Sequence, residues 1–241
     1  MSRKRIAIFG DSHYACLRLA HGQGLVDLSA FDVEYWGHVG KRFRALEFRD
    51  GAIHAQDDVT AQRFAKFNEK GRTFLPVADF DEIVFVGCRI DIARVFMGLI
   101  DAHMQGVYLS LALRQAMVRN RLGGFAAYGM AAQMAALGQA RIWLHPITMF
   151  ALGTDEYDSI ITQAMREGTP AARGAVWQVF DDVTSQDGVR LLWQLDHTYA
   201  AGVYTDPAYL VDGYAEANDY THRTAAYGAL VWGQILQSLA G

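Results

Sequence analysis

Two short stretches, far apart in the chain, hold the residue types that nucleophilic acyl transfer requires. Ser12 stands in "IFGDSH", and Asp219 and His222 stand three residues apart in "DYTHRTAAYG". A serine hydroxyl is a weak nucleophile until a base takes its proton. The base in turn needs an acid that fixes its tautomer and stabilises the imidazolium. Asp-x-x-His supplies base and acid from one tight turn. Each stretch also has a plainer reading. Asp11 or Ser12 would cap a helix at a strand–helix junction, and Asp219 would cap the final helix with His222 in its first turn. Strand-Gly-helix turns also bind anions. However, "GDSHYACL" lacks the further glycines of a dinucleotide fingerprint and the Gly-Lys-Ser/Thr of a P-loop.

The elements that must position these residues follow from periodicity. "RIAIFG" (5–10) reads as a short buried strand, "FDVEYWG" (31–37) as a second and "DEIVFVGCR" (81–89) as a third. "ARIWLHP" (140–146) and "GVRLLWQLD" (188–196) read as a fourth and a fifth. Helical patterns cover 13–22, about 105–136 with a break near Gly123-Gly124, roughly 157–167, 172–180 and about 222–239. Strands alternating with helices predict a mainly parallel sheet covered on both faces. Sites in such sheets form beyond the carboxyl ends of the strands. That directs attention to Ser12, Gly37 to Gly40, Gly87 to Asp91, His145, and Gln194 to His197.

Composition narrows the classes. Of 241 residues, 51% are hydrophobic and 20% charged, which predicts an ordered globular chain. With no repeat and no linker-like tract, residues 1–241 are expected to form a single domain. The formal charge of −4, with scattered Lys and Arg, gives no basic stripe for nucleic acid. The cluster "GKRFRALEFR" (40–49) reads as a solvated helix face, or else as a surface for an anionic substrate. Cys16 and Cys88 are expected to be buried free thiols in a reducing compartment. No stretch approaches a membrane span and the N-terminal apolar run is too short for a signal-peptide core, so a soluble, cytoplasmic protein is expected. No His-Glu-x-x-His and no Cys pair indicates a metal, and no cofactor is expected.

The blocks "IFGDSH", the glycines after the second strand, the Gly-containing turn after the third, and "DYTHRTAAYG" resemble the SGNH (GDSL-type) hydrolases in order and spacing over nearly the whole chain. The resemblance implies an α/β fold: a three-layer α/β/α sandwich around a mainly parallel five-stranded sheet, as in SGNH hydrolases and flavodoxin-like proteins. It implies Ser12 as nucleophile, His222 as general base, Asp219 as its orienting acid and Asp11 as the structural acid of the turn. The family's oxyanion hole joins the serine N–H, a glycine N–H and an asparagine side chain. The glycine corresponds to Gly40 or, less well, Gly37. The family's Gly-x-Asn-Asp block falls on "VFVGCRID", where Gly87 fits, Arg89 stands at the asparagine position and the acid is displaced to Asp91. Arg89 could donate to an oxyanion, grip a carboxylate or phosphate on the substrate, or pair with Asp91.

His13, Gly87 and Asp91 are candidate substrate contacts, with His13 otherwise a hydrogen-bonded residue of the first helical turn. His145, Asp196 and His197 either line the pocket or sit in polar loops, the latter being expected. The aromatic and methionine-rich stretch 96–150 is expected to serve packing or a contact between copies more than an acyl pocket. The expected function is an esterase, including carbohydrate O-acetylesterases, acting on a small-molecule or glycan ester through an acyl-enzyme. Two alternatives stand beside it: an O-acyltransferase using a glycan hydroxyl as acceptor, and a non-catalytic glycan- or partner-binding relative. Oligomeric state is not legible.

Overall fold

A computed structural model describes residues 3–37, 40–152 and 160–240 of the chain. The strand β1 (Lys4–Gly10) carries the apolar run Ile6 to Phe9, buried on both faces, as a central parallel strand requires. It is flanked by β2 (Phe31–Gly37) on one side and β6 (Glu82–Gly87) on the other, with β7 (Arg141–Pro146) and β8 (Val189–Leu191) beyond. All four pairings are parallel, and the order is β2-β1-β6-β7-β8. The chain leaves β1 toward β2 and later returns to β1's other side as β6. The carboxyl ends of β1 and β6 therefore border the point where strand order reverses, which is where open α/β sheets place their sites.

Period-two alternation sends β1 side chains into two cores. Ile6 and Ile8 pack with Leu17, Trp232 and Ile235, which lie on α1 (Ala15–Gly22) and on the C-terminal helix Ala225–Ala240. Ala7 and Phe9 belong to the larger core on the opposite face. That core contains Phe96 and Ile100 of α3 (Ala93–Met104), Val118 of α4 (Leu111–Gly123), Met130 and Met134 of α5 (Ala126–Leu137), and Trp177 and Phe180 of the helix Pro170–Gln186. Helices thus cover both faces of a five-stranded parallel sheet, the three-layer α/β/α sandwich expected.

Several element boundaries differ from expectation. The helical stretch expected over about 105–136, with a break near Gly123-Gly124, is two helices, α4 and α5, parted at Gly124-Phe125; its start differs. The segment 105–110 is a loop, introduced by Gly106 at φ +67° and closed by Ser110, which accepts the Leu113 N–H. The helix α3 had no element assigned to it; its N-terminal neighbour Ile92 offers no capping side chain to mark the start. The strand expected over 188–196 ends at Leu191, because Gln194 turns inward to meet the Met149 N–H, Thr198 and Thr205.

The segment 40–49 is not a solvated helix. A 3₁₀ turn, Gly40–Ala45, runs into β3 (Leu46–Arg49), and Phe43 and Leu46 are buried. The strand β3 pairs antiparallel with β4 (Ala52–Ala55) across Asp50-Gly51, both at positive φ, and β4 pairs with β5 (Phe74–Pro76). An Asp-Gly between apolar residues is a strong local hairpin signal. Between β4 and β5 lies α2 (Asp58–Phe67), capped by Asp57.

Thr169 caps the helix Pro170–Gln186, which is longer than the 172–180 expected. Only Gln163–Arg166 is helical within the described part of 157–167; residues 153–159 lie outside the described residues. A small antiparallel pair, β9 (Tyr199–Ala201) and β10 (Tyr204–Thr205), follows β8. Among the described residues no helix is long and apolar enough to cross a membrane.

Candidate active site

Ser12 opens a 3₁₀ turn, Ser12–Tyr14, directly beyond β1. Its turn is held by Asp11, a buried residue whose carboxylate accepts the His13 N–H (3.2 Å), the His13 Nδ1–H (2.7 Å) and the Arg89 N–H (3.0 Å). Asp11 thus joins the turn after β1 to the turn after β6. Burial alone would raise its pKa. The hydrogen bonds and charge of His13, with the Arg89 N–H, outweigh burial and hold the pKa below the usual carboxylate range. Gly87 makes this junction sterically feasible. It sits at φ +68°, and a Cβ there would lie 2.6 Å from Asp11 Oδ1 and 2.7 Å from His13 Cβ.

The C-terminal block reaches Ser12 from the other end of the chain. His222 Nε2 is 2.7 Å from Ser12 Oγ, and His222 Nδ1 is 2.8 Å from both carboxylate oxygens of Asp219. Nδ1–H donates to Asp219, which leaves Nε2 free to accept the serine proton. Asp219 also accepts the backbone N–H of His222 (3.1 Å). Burial raises its pKa, and hydrogen bonds from His222 and Thr221 more than offset that, so the carboxyl lies below its ordinary value. The plainer reading of Asp219 as cap of the last helix does not hold. That helix begins at Ala225, and Thr224 Oγ1 accepts the Tyr227 N–H.

Packing of the first helix against the last brings the two blocks together. At Gly228, the glycine of "AAYG", a Cβ would fall 2.1 Å from the Cys16 carbonyl oxygen. Only a glycine allows the helices this close. One turn on, Trp232 Nε1 donates to the Leu17 carbonyl (3.1 Å).

The remaining sequence candidates separate around this centre. The His13 ring stacks on the His222 ring, centroids 5.4 Å apart, and its buried Nε2 has no hydrogen-bond partner. Gly37 lies within the sheet, paired with Gly10 of β1, whereas Gly40 starts the 3₁₀ turn beyond β2. Arg89 has φ +55° and follows Cys88 at φ +52°. Its side chain does not pair with Asp91; that carboxylate accepts the Ala93 N–H and faces Arg121.

His145 is buried, donates from Nδ1 to the Leu192 carbonyl and faces the Tyr227 hydroxyl. Burial pushes its pKa down to about 4. Asp196 pairs with Arg173, and His197 is exposed. Both cysteines are free and buried, and burial pushes the Cys16 thiol up to about 12 and raises that of Cys88, so neither is a nucleophile at neutral pH. Ser12 itself borders a cleft of about 600 Å³, walled by Tyr14, Ala15, Leu19 and Phe67 with Arg18 beside them. Among the described residues no cluster of three His, Cys, Asp or Glu side chains could hold a metal ion.

No protein-family model matches the chain, and no curated protein does. Among solved structures, one similar in fold is described as "a putative platelet activating factor from Streptococcus pneumonia". It is 13% identical, with a TM-score of 0.46, over 99% of this chain and 85% of that one.

Sequence reasoning missed Arg223, next to His222. This residue is buried, and its guanidinium donates to the carbonyls of Met149 (2.7 Å) and Tyr220 (3.1 Å). It thereby ties the His222 loop to the segment after β7. Met149 is gripped in turn by Gln194 and Thr205. A charged residue at the threshold of an apolar helix is the only trace of this anchor in the sequence.

Proposed function

We propose that this protein is a serine esterase of the SGNH type, acting on a small-molecule or glycan ester through an acyl-enzyme. The observation that carries the reading is the continuous hydrogen-bonded chain Ser12–His222–Asp219, open to a cleft at its serine end. His222 Nε2 takes the Ser12 proton as Oγ attacks the ester carbonyl. Asp219 stays ionised and stabilises the imidazolium. The N–H groups of Ser12 and Gly40 receive the oxyanion. The first is a donor at the start of a 3₁₀ turn with no partner inside that turn. His222 then protonates the departing alcohol as the carbonyl–oxygen bond breaks, leaving acyl-Ser12. Water attacks the acyl group, giving its proton to His222, and that proton returns to Ser12 Oγ as the acid departs.

The test is hydrolysis of p-nitrophenyl acetate by the wild-type protein and by Ser12→Ala, with fluorophosphonate labelling alongside. The expected result is a loss of at least about 10³-fold in turnover with the melting temperature unchanged, and labelling confined to Ser12. Activity retained in Ser12→Ala would overturn the assignment. A wild-type protein that neither turns over nor takes the label would point to a non-catalytic binding relative.

A further inference from the structure

A second cavity, of about 330 Å³, borders the turn after β6, whose Arg89 N–H is bonded to Asp11, the residue before Ser12. Its walls are mostly apolar, with Phe43 and Leu46 from the segment after β2, Phe125 and Met130 from the start of α5, and Cys88 from the turn after β6. Two guanidiniums, Arg44 and Arg89, also line it. Neither forms an ion pair with any described residue, and the Nε of Arg89 is buried without a hydrogen-bond partner. Arg44 is exposed and Arg89 half-buried. Leaving the buried Nε of Arg89 unpaired is costly, and a cation bordering an apolar wall attracts an anion.

The backbone beneath Arg89 adds to the case. Gly87, Cys88 and Arg89 all have left-handed φ, at +68°, +52° and +55°. For the two non-glycines that conformation costs on the order of 1–3 kcal/mol each. Asp11, which accepts the Arg89 N–H, helps to hold this turn. That bond also fixes Arg89 to the residue preceding Ser12, so the cavity has a rigid relation to the proposed nucleophile. The first turn of α5 borders it too. Phe125 provides no side-chain cap to the first backbone N–H groups of that helix.

We propose that this cavity is the subsite for a carboxylate on the ester substrate, gripped by Arg89 and Arg44, with the apolar walls holding the short carbon chain between carboxylate and ester. The planar guanidinium fork matches a carboxylate's two oxygens, and charge-assisted hydrogen bonds are the strong ones. The inference rests on the esterase reading for its placement relative to Ser12, but the anion site itself does not require catalysis.

Two matched pairs of esters test it: monomethyl and dimethyl adipate, with the carboxylate on the acyl half, and 6-acetoxyhexanoate and its methyl ester, with the carboxylate on the alcohol half. Rates per ester bond are read from released methanol or acetate. In at least one pair the acid is expected to exceed its neutral partner by about tenfold or more in kcat/KM, chiefly through KM. That ratio should collapse toward one in Arg89→Gln, fall in Arg44→Gln and survive in part in Arg89→Lys. Because the ratio is taken within one preparation, a partly misfolded variant does not distort it. The pair that responds identifies which half of the ester enters the cavity. Equal rates in both pairs, or a preference that persists in the Arg44→Gln/Arg89→Gln double variant, would overturn the subsite.

Should the wild-type protein cleave neither member of either pair, calorimetric titration with monomethyl adipate decides the matter. Binding that disappears in the double variant retains the anion site while the esterase reading falls. No binding removes the site as well.

Discussion

The two ends of the central sheet treat their polar groups in opposite ways. At the amino end, Glu82 is buried and every oxygen is engaged. Arg141 bonds one, the Trp143 Nε1–H bonds the other at 2.8 Å, and Lys4 stands 3.4 Å away. Beside it the Arg5 N–H meets Asp81 at 2.7 Å. At the carboxyl end, the His13 Nε2 and Arg89 Nε are buried and unpartnered, and two consecutive non-glycine residues hold left-handed backbone. A carboxylate engaged on both oxygens has little capacity left for a ligand. Unsaturated groups and backbone strain cost stability and persist where something else is expected to bind. The contrast sets the two ends of the sheet apart without reference to any relative.

The comparison can be broken first at its saturated end. Arg141→Met deprives the Glu82 carboxylate of its principal counter-charge, which should cost about 3 kcal/mol. For a chain of this length that is a fall of ~6–12 °C in the melting temperature, with activity per folded molecule unchanged. Equal melting curves would show that the amino end carries no such burden.

The pH dependence sharpens the contrast. His145, buried beyond β7, titrates near 4 in the folded state and near its ordinary 6.5 when unfolded. Between these values the unfolded chain binds the extra proton. The stability it contributes is therefore complete above about pH 6.5 and declines as pH falls toward 4, by on the order of 3 kcal/mol. His145→Gln should flatten the melting temperature over that window. Below it, Asp11 and Asp219, both with lowered pKa, surrender their own contribution as they protonate.

The smallest effect is expected at the strained turn. Arg89→Asn replaces an unpaired cation by a residue that tolerates left-handed backbone, and should gain about 1 kcal/mol, a rise of ~2–4 °C. A fall instead would mean that the Arg89 side chain supports the turn.

How much could be read in advance differs by element. The parallel strands were legible because runs such as Ile6 to Phe9 and Ile83 to Val86 are apolar without interruption. The Asp50-Gly51 hairpin was legible in principle, since its turn dipeptide is explicit, but the neighbouring Lys and Arg residues drew attention to charge instead. The start of helix α3 was not legible, because its N-cap position is Ile92 and the carboxylate that accepts the Ala93 N–H, Asp91, lies one residue further out. At the site, the side chains of Ser12, Asp219 and His222 were identified by type and spacing. Arg223 was not, because a buried arginine that bonds only carbonyls leaves no pattern of its own.

Local chemistry written along the chain therefore determined which residues could act: an alcohol after a strand, an imidazole three positions beyond an acid, and alternating strands and helices around them. Whether they meet was decided in three dimensions. Ser12 and His222 are 210 positions apart, and their 2.7 Å contact depends on the first and last helices packing at Gly228. The direction taken by Arg89, away from Asp91 and into an apolar cavity, was likewise set by the folded turn. Side-chain direction follows from backbone conformation and from neighbours distant in sequence, and neither is written in any local motif.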